Sequence, residues 1–455
     1  MWSVGSSTRA LCALGVVSSA LATNPGCFPN CAGVTPPRGA RTWNSVRLAI
    51  NQSFAIASIE GLAAQLSDGG SYAASGFTNF GLDDGWENCG AGVNGSFHDE
   101  KGFPMIREDL FPDMSALSRA AAPLNVTVGW YMNCCGCGDG EHKLSEPHYA
   151  QDAFTTAALG FAGLKIDGCG NEPNMTAWAE ALFDARAAGI GQDVVLENCN
   201  DDTPFRPTKR ADGSVDCPYN FFRTSIDGAP NFRSTIWNVL QTVPFLDVSS
   251  PGCFAYADML TFGVPAAGAE SPSFYSNCGG KRLSDAEARA QFAAFSLLSS
   301  PLVLGFDVSN ATERERWAPM ATHAPTLAIN AAFDGEAGRL VAQSAATHAV
   351  TVAVGGACEL NQNYTLPEWM VVGKRLAHRA SDGATTKFAA VAIVGDFAGA
   401  VSYAAPLAAM GFPAGATVSS ADGWTGADTG SVTGSWGADG AVSPGGAYRI
   451  FTLTS

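Results

Sequence analysis

Leu164-Lys165-Ile166-Asp167-Gly168-Cys169 is the stretch whose reading decides the fold. Side chains alternate along a strand, so Leu164 and Ile166 share one face while Lys165 and Asp167 share the other. Two charged groups on the inner face of a short apolar strand are costly unless they are paired or at work. A buried ion pair is the structural reading of this pattern; a strand end that carries chemistry is the functional one.

Working outward, similar runs recur. Asn79-Phe80-Gly81-Leu82, Val126 to Tyr131, Val194-Val195-Leu196, Phe221-Phe222-Arg223, the run near Asp258-Met259-Leu260, and Leu302 to Phe306 all read as short strands. Several are apolar on both faces, as buried parallel strands are. Helical stretches separate them. Met175, Trp178, Leu182 and Ala185 recur at helical spacing up to Gly189, and Ser284-Asp285-Ala286-Glu287 is a capping box ahead of Ala288, Phe292 and Phe295. Pro301 stops that helix.

Repeated strand–helix units suit either a doubly wound sheet or a closed TIM (β/α)8 barrel. The polar residues decide. Asp83 and Asp84, Tyr131, Asp167, Asn198 to Asn200, Asp227 and Asp258 each follow a candidate strand at its C-terminal end. A barrel gathers those ends into one mouth, whereas an open sheet spreads them along an edge. The expected fold is therefore α/β: a (β/α)8 barrel over 23–324, followed by a small antiparallel all-β domain, a sandwich, over 325–455. The latter rests on short β-branched or aromatic runs such as Ala349 to Val354, Phe388 to Val394 and Tyr448 to Leu453, separated by Gly, Asp and Ser.

Residues 1–22 read as a secretory signal peptide. Arg9 is the only charge before the apolar stretch Ala10 to Ala22, which closes on small residues. The chain has 13 cysteines; without Cys12 an even set of 12 remains, as expected of disulfides formed in an oxidising compartment. Asn51, Asn94, Asn125, Asn174, Asn310 and Asn363 open Asn-x-Ser/Thr glycosylation sites. These features predict a glycoprotein that is secreted or delivered to a lysosome or vacuole. The apolar run Phe292 to Phe306 is broken by Ser296, Ser299, Ser300 and Pro301, so no membrane span is expected. A net charge of −16 with 26 basic residues excludes a nucleic-acid partner, because such binding neutralises phosphates with Lys and Arg. Cys134, Cys135 and Cys137 cluster without a nearby His, so no metal site is expected.

Three groups of residues carry candidate chemistry. Asp83-Asp84-Gly85-Trp86 places two hydrogen-bond acceptors beside a ring that could stack on a sugar; a turn is its bland alternative. Lys165 and Asp167 have been described. Arg223 and Asp227 stand four apart, and the Arg fork suits a carboxylate or sugar oxygens.

Together these pieces resemble glycoside hydrolase family 27, the α-galactosidases and α-N-acetylgalactosaminidases. The resemblance runs through Thr35-Pro36-Pro37 to Trp43, Asp83 to Trp86, Gly129-Trp130-Tyr131, Lys165 to Cys169, Arg223 to Asp227, Tyr256 to Leu260 and Ser299 to Leu302, in the family's order. It implies Asp167 as nucleophile and Asp227 as general acid/base. It also implies sugar contacts from Trp43, Asp83, Asp84, Tyr131, Lys165, Arg223 and Asp258, with neither metal nor organic cofactor. The expected activity is retaining, exo-acting release of terminal α-linked galactose. The partner is then an α-galactoside-bearing carbohydrate, with a homodimer as a further option.

Some positions differ from the family pattern. Gly85 stands where Cys is usual, Ala40 replaces an aromatic, and Ile226-Asp227-Gly228 exchanges the neighbours of the acid/base. After the fifth strand, Cys199-Asn200 stands where α-galactosidases carry Cys-Glu, with Glu197 two residues earlier. Asn200 is thus a candidate sugar contact that leaves α-N-acetylgalactosaminidase and β-L-arabinopyranosidase activity open. Transglycosylation, and a catalytically silent sugar-binding glycoprotein, are further readings. Cys199 and Cys217 flank one polar loop and are expected to pair.

Overall fold

The computed structural model describes residues 32–134, 148–170, 174–199, 207–213, 215–264, 282–354, 360–397, 399–441 and 445–454. The leader expected at 1–22, and Asn200, lie outside the described residues.

The first half of the chain alternates strands and helices. In order these are β1 (Arg38–Arg41), α1 (Trp43–Val46), α2 (Gln52–Ala63), β2 (Asn79–Gly81), α3 (Ala116–Ala121), β3 (Thr127–Cys134), α4 (Tyr149–Ala158), β4 (Gly163–Gly170), α5 (Met175–Ala187) and β5 (Val195–Cys199). A two-residue hairpin, β6 (Thr208–Lys209) and β7 (Val215–Asp216), precedes β8 (Phe221–Arg223), α6 (Phe232–Thr242), β9 (Phe254–Tyr256), α7 (Asp285–Leu297), β10 (Leu302–Leu304), α8 (Ala311–Ala321) and α9 (Ala324–Ala331).

Eight of these strands form one parallel sheet in the order β10-β1-β2-β3-β4-β5-β8-β9. Its edges meet beyond β9, where Leu260 bridges Leu304 in parallel and donates its N–H to the Val303 carbonyl at 2.8 Å. The array is the barrel expected from the strand ends. One strand is displaced from its expected place: β9 is Phe254–Tyr256, not the run at Asp258–Leu260. Asp258 has a positive φ of 79°, which turns the chain off the strand and leaves Leu260 to close the barrel.

Local chemistry fixes the helix starts. Asn51, Asn174, Asn231 and Asn310 cap α2, α5, α6 and α8 by accepting backbone N–H groups, satisfying donors that the helix cannot. Ser284 and Glu287 form the full capping box of α7. Helix α7 is buried along most of its length, with Ala288 and Phe292 fully covered and Phe295 at 1% exposure. It lies between the barrel and the β-rich part, touching both. Each such Phe contributes about 1.5–3 kcal/mol by leaving water.

The rest is antiparallel: β11 (Arg339–Gln343), β12 (Thr347–Val354), β13 (Leu360–Pro367), β14 (Trp369–His378), β15 (Thr385–Val394), β16 (Val401–Pro406), β17 (Thr417–Asp422), β18 (Asp428–Thr433), β19 (Ser435–Ala441) and β20 (Gly445–Leu453). Six of them form the sheet β11-β14-β15-β20-β17-β18. One face packs on α7; the other meets the two-stranded sheet β16–β19 through Val371, Phe388, Tyr403, Leu407, Trp436 and Phe451. Helix α9 spans the point near residue 325 where the sequence texture changes.

Candidate active site

The residues singled out in the sequence converge on the C-terminal ends of the barrel strands. Trp43 opens α1 just after β1, Asp83 and Asp84 follow β2, and Tyr131 lies within β3. Lys165 and Asp167 lie on β4, Arg223 ends β8, and Asp227 and Asp258 lie on the loops that leave β8 and β9. In register, Lys165 sits between Tyr131 of β3 and Glu197 of β5, and Asp167 between Asn133 and Cys199.

Lys165 is 6% exposed, and its Nζ donates to both oxygens of Asp83, at 2.9 and 3.3 Å. It also lies 5.1 Å from the Tyr131 ring centroid, in reach of a cation–π contact. Burial works against its charge, but Asp83, Cys199 and Asp167 outweigh burial and push its pKa up. Asp83 Oδ1 accepts the Asp84 N–H at 3.0 Å, and the Asp83 N–H donates to Thr42 Oγ1 at 2.9 Å. Gly85 follows with φ of 111°, a conformation that a Cys in its place would adopt only under strain.

On the far side, Arg223 ion-pairs with Asp227. The carboxylates of Asp227, Asp258 and Asp167 act on Arg223 and outweigh its burial, raising its pKa. Asp227 is thus the carboxylate in direct contact with this guanidinium. Asp258 Oδ2 accepts the Gly228 N–H at 2.5 Å. The exchange of neighbours around Asp227 thus places a backbone donor against Asp258.

The arrangement offers carboxyl oxygens on both sides of a barrel mouth, two cations beside them, and aromatic rings at its edge. No family model matches the chain. The α-galactosidase A of Cellvibrio japonicus is 24% identical over 310 residues, 65% of this chain and 67% of that relative. The solved α-galactosidase I of Mortierella vinacea superposes with a TM-score of 0.67 at 18% identity, covering 93% of this chain and 99% of that one. A family 27 β-L-arabinopyranosidase of Geobacillus stearothermophilus superposes at 0.66 and 13% identity, covering 93% and 98%. The chain is thus similar in sequence to α-galactosidases, and in fold to α-galactosidases and to a member of glycoside hydrolase family 27.

One expectation is overturned. Cys199 and Cys217 do not pair: Cys217 is bonded to Cys253, and Cys199 is a buried free thiol. Cys199 points off the last residue of β5 into the charged layer beside Lys165 and Arg223. Cys253 directly precedes β9, so the bond links the starts of two adjacent strands, β8 and β9, rather than the loop after β5. Cys89 is also disulfide-bonded.

The sequence reading did not single out Arg41 or Glu87 and left Glu197 without a role. Arg41 lies at the end of β1, and its Nη2 is 2.5 Å from Glu197 Oε2. Glu87 is 3% exposed, accepts the Gly85 N–H at 2.9 Å, and is pushed up by burial and by Asp84. Period-two alternation with Cys199 could have marked Glu197 as inward-facing; Glu87 lies on a loop, where no periodicity marks it.

Proposed function

We propose that this glycoside hydrolase releases terminal α-linked galactose with retention, using Asp167 as nucleophile and Asp227 as general acid/base. The observation that carries this reading is the placement of Asp167 on β4 and of Asp227 just after β8 at the same end of the barrel, with Asp227 ion-paired to Arg223. A retaining glycosidase needs two carboxyl groups about 5–5.5 Å apart, one to attack and one to move the proton. Related chains of this sequence pattern are named α-galactosidases.

In the first step an Asp167 oxygen bonds to the anomeric carbon. The bond to the leaving oxygen breaks, and Asp227 passes to that oxygen the proton held between it and its neighbour Asp258. In the second step Asp227 takes a proton from water as the water oxygen displaces Asp167, so both carboxyls return to their starting state. Asp83, Asp84, Tyr131, Lys165, Arg223, Asp258 and Trp43 hold the sugar. Asn200 contributes next to Cys199. Export fits the leader read at 1–22 and the surface placement of the glycosylation sites, since Asn94, Asn125, Asn174, Asn310 and Asn363 are exposed. Among the described residues no helix is long and apolar enough to cross a membrane.

The test is a panel of aryl glycosides with trapping by a 2-deoxy-2-fluoro galactosyl donor. The expected result is turnover of the α-galactoside, with the label on the peptide containing Asp167. Turnover confined to the β-L-arabinopyranoside or to α-N-acetylgalactosaminide would replace the sugar. A label on Asp83 or Asp84 would replace the nucleophile.

A further inference from the structure

Four charged side chains lie together inside the barrel, beneath the mouth. Arg41 comes from β1, Asp83 from the end of β2, Lys165 from β4 and Glu197 from β5. Their formal charges cancel. Asp83 and Glu197 side chains are each 1% exposed, Lys165 7% and Arg41 12%, so none is solvated as a surface ion would be.

The geometry is that of a relay. Glu197 Oε2 holds Arg41 Nη2 at 2.5 Å. That contact turns the other edge of the guanidinium toward Asp83, whose Oδ2 is 3.8 Å from Arg41 Nε. The same Oδ2 is 2.9 Å from Lys165 Nζ. Asp83 thus lies between two cations, and one of them is fixed by a carboxylate on a strand four places away around the sheet. Gly81 makes the arrangement possible: a Cβ there would stand 2.8 Å from Arg41 Nε. Buried charges of this kind are costly as stabilising devices, because desolvation rivals the attraction gained. Their presence directly beneath sugar-facing residues calls for a role at the site.

We propose that Arg41 is a positioning residue for Asp83, and that Glu197 is the counter-charge that holds Arg41 in place. This rests on the reading that Asp83 accepts a sugar hydroxyl. Lys165 and the Asp84 N–H hold Asp83 from one side; the second cation, beside Oδ2, restrains it from another direction, so the carboxylate is aimed before substrate arrives.

The experiment is a double-mutant cycle on whichever aryl glycoside the wild type cleaves. Arg41→Leu/Glu197→Leu removes both partners of the ion pair, which spares the fold an uncompensated charge. Its kcat/KM should fall by about tenfold to a hundredfold, the scale of a lost charged contact, while its thermal midpoint stays near that of the wild type. In an Asp83→Asn background the same pair of changes should cost less than about threefold, because the residue being aimed is gone. Arg41→Lys keeps charge but not the fork, and should lose activity by an intermediate factor.

Equal losses in both backgrounds would mean that the pair acts on the fold and not through Asp83. No loss in either would mean it has no part in the site. Either outcome overturns the proposal. A wild type that cleaves no glycoside would instead overturn the functional reading, so the two failures are distinct.

Discussion

Arg223 is ion-paired to Asp227 across the turn that leaves β8, and this pairing sets how the two neighbouring carboxyls share protons. Burial tends to raise the pKa of Asp227, but the charges of Arg223, Lys165 and Arg47 outweigh it, and the carboxyl is held below its ordinary range. Asp258 shows the opposite balance. Burial and the charge of Asp227 push it up to about 6, against the pull of Arg223. In the empty site the proton therefore sits at Asp258 when the pH is below about 6.

The division of labour between Asp167 and Asp227 can be tested by chemical rescue. Asp227→Ala should slow substrates with poor leaving groups most, because they depend on protonation, a contribution of typically about 10²–10⁴-fold. Activated aryl galactosides should retain more of their first step. Azide, which needs no base, should restore turnover and give the α-galactosyl azide. Asp167→Ala with azide should give the β product instead. Equal proportional losses on all substrates, with no response to azide, would remove Asp227 from the acid/base role.

Asp258 should control the pH range of activity. With Asp258→Asn the negative neighbour is lost while Arg223 still holds Asp227 ionised, so the falling limb of kcat/KM should move to lower pH. Turnover at pH 6 should drop by about tenfold or more. A limb that stays in place would show that the Asp258 charge does not act on the reacting proton.

The same substitution should stabilise the protein at neutral pH. The folded pKa of Asp258, about 6, lies above its ordinary 3.8, so the folded state binds this proton more tightly than the unfolded chain does. Its contribution to stability is complete below pH 4 and is lost as pH rises through 6. Asp258→Asn should therefore gain on the order of 2 kcal/mol relative to wild type between pH 5 and 7.5, read by urea unfolding at both. A difference that does not change with pH would contradict this.

Lys374 ties the β-rich part to the barrel. It is fully buried on β14 and donates to Ser299 Oγ at 2.6 Å and to the carbonyls of Ile329 at 2.8 Å and Asn330 at 3.2 Å. Burial lowers its pKa to about 7, so the folded state prefers the neutral amine and this residue's contribution to stability grows as pH rises from about 7. Lys374→Met should thus cost more at pH 9 than at pH 6.5, on the order of 1–3 kcal/mol at the higher value. Urea midpoints of the variant and wild type at both values measure it; an equal cost would refute the titration.

Peptide mapping without reduction should recover Cys217 joined to Cys253 and Cys199 unbonded. Burial raises the Cys199 thiol well above its usual range, so alkylation should be slow in the native protein and fast in urea. Rapid native labelling would place the thiol at the surface.

The sequence alone determined what is local or periodic. Alternation on β4 set Lys165 and Asp167 on the inner face, and the capping box marked the start of α7. Polar residues at successive strand ends required a closed barrel, because only closure brings them into one mouth. Tertiary structure decided the pairings between elements far apart in sequence. Arg41 and Glu197 meet from β1 and β5, and no spacing along the chain records that distance. Cys217 takes Cys253 and not Cys199, because β8 and β9 are neighbours in the sheet and the starts of adjacent strands lie together, whereas Cys199 ends β5 at the opposite, C-terminal end of the strands. The charge states of Asp227 and Asp258 also belong to the fold: two aspartates alike in sequence differ because one is paired with Arg223 and the other is desolvated beside a negative charge.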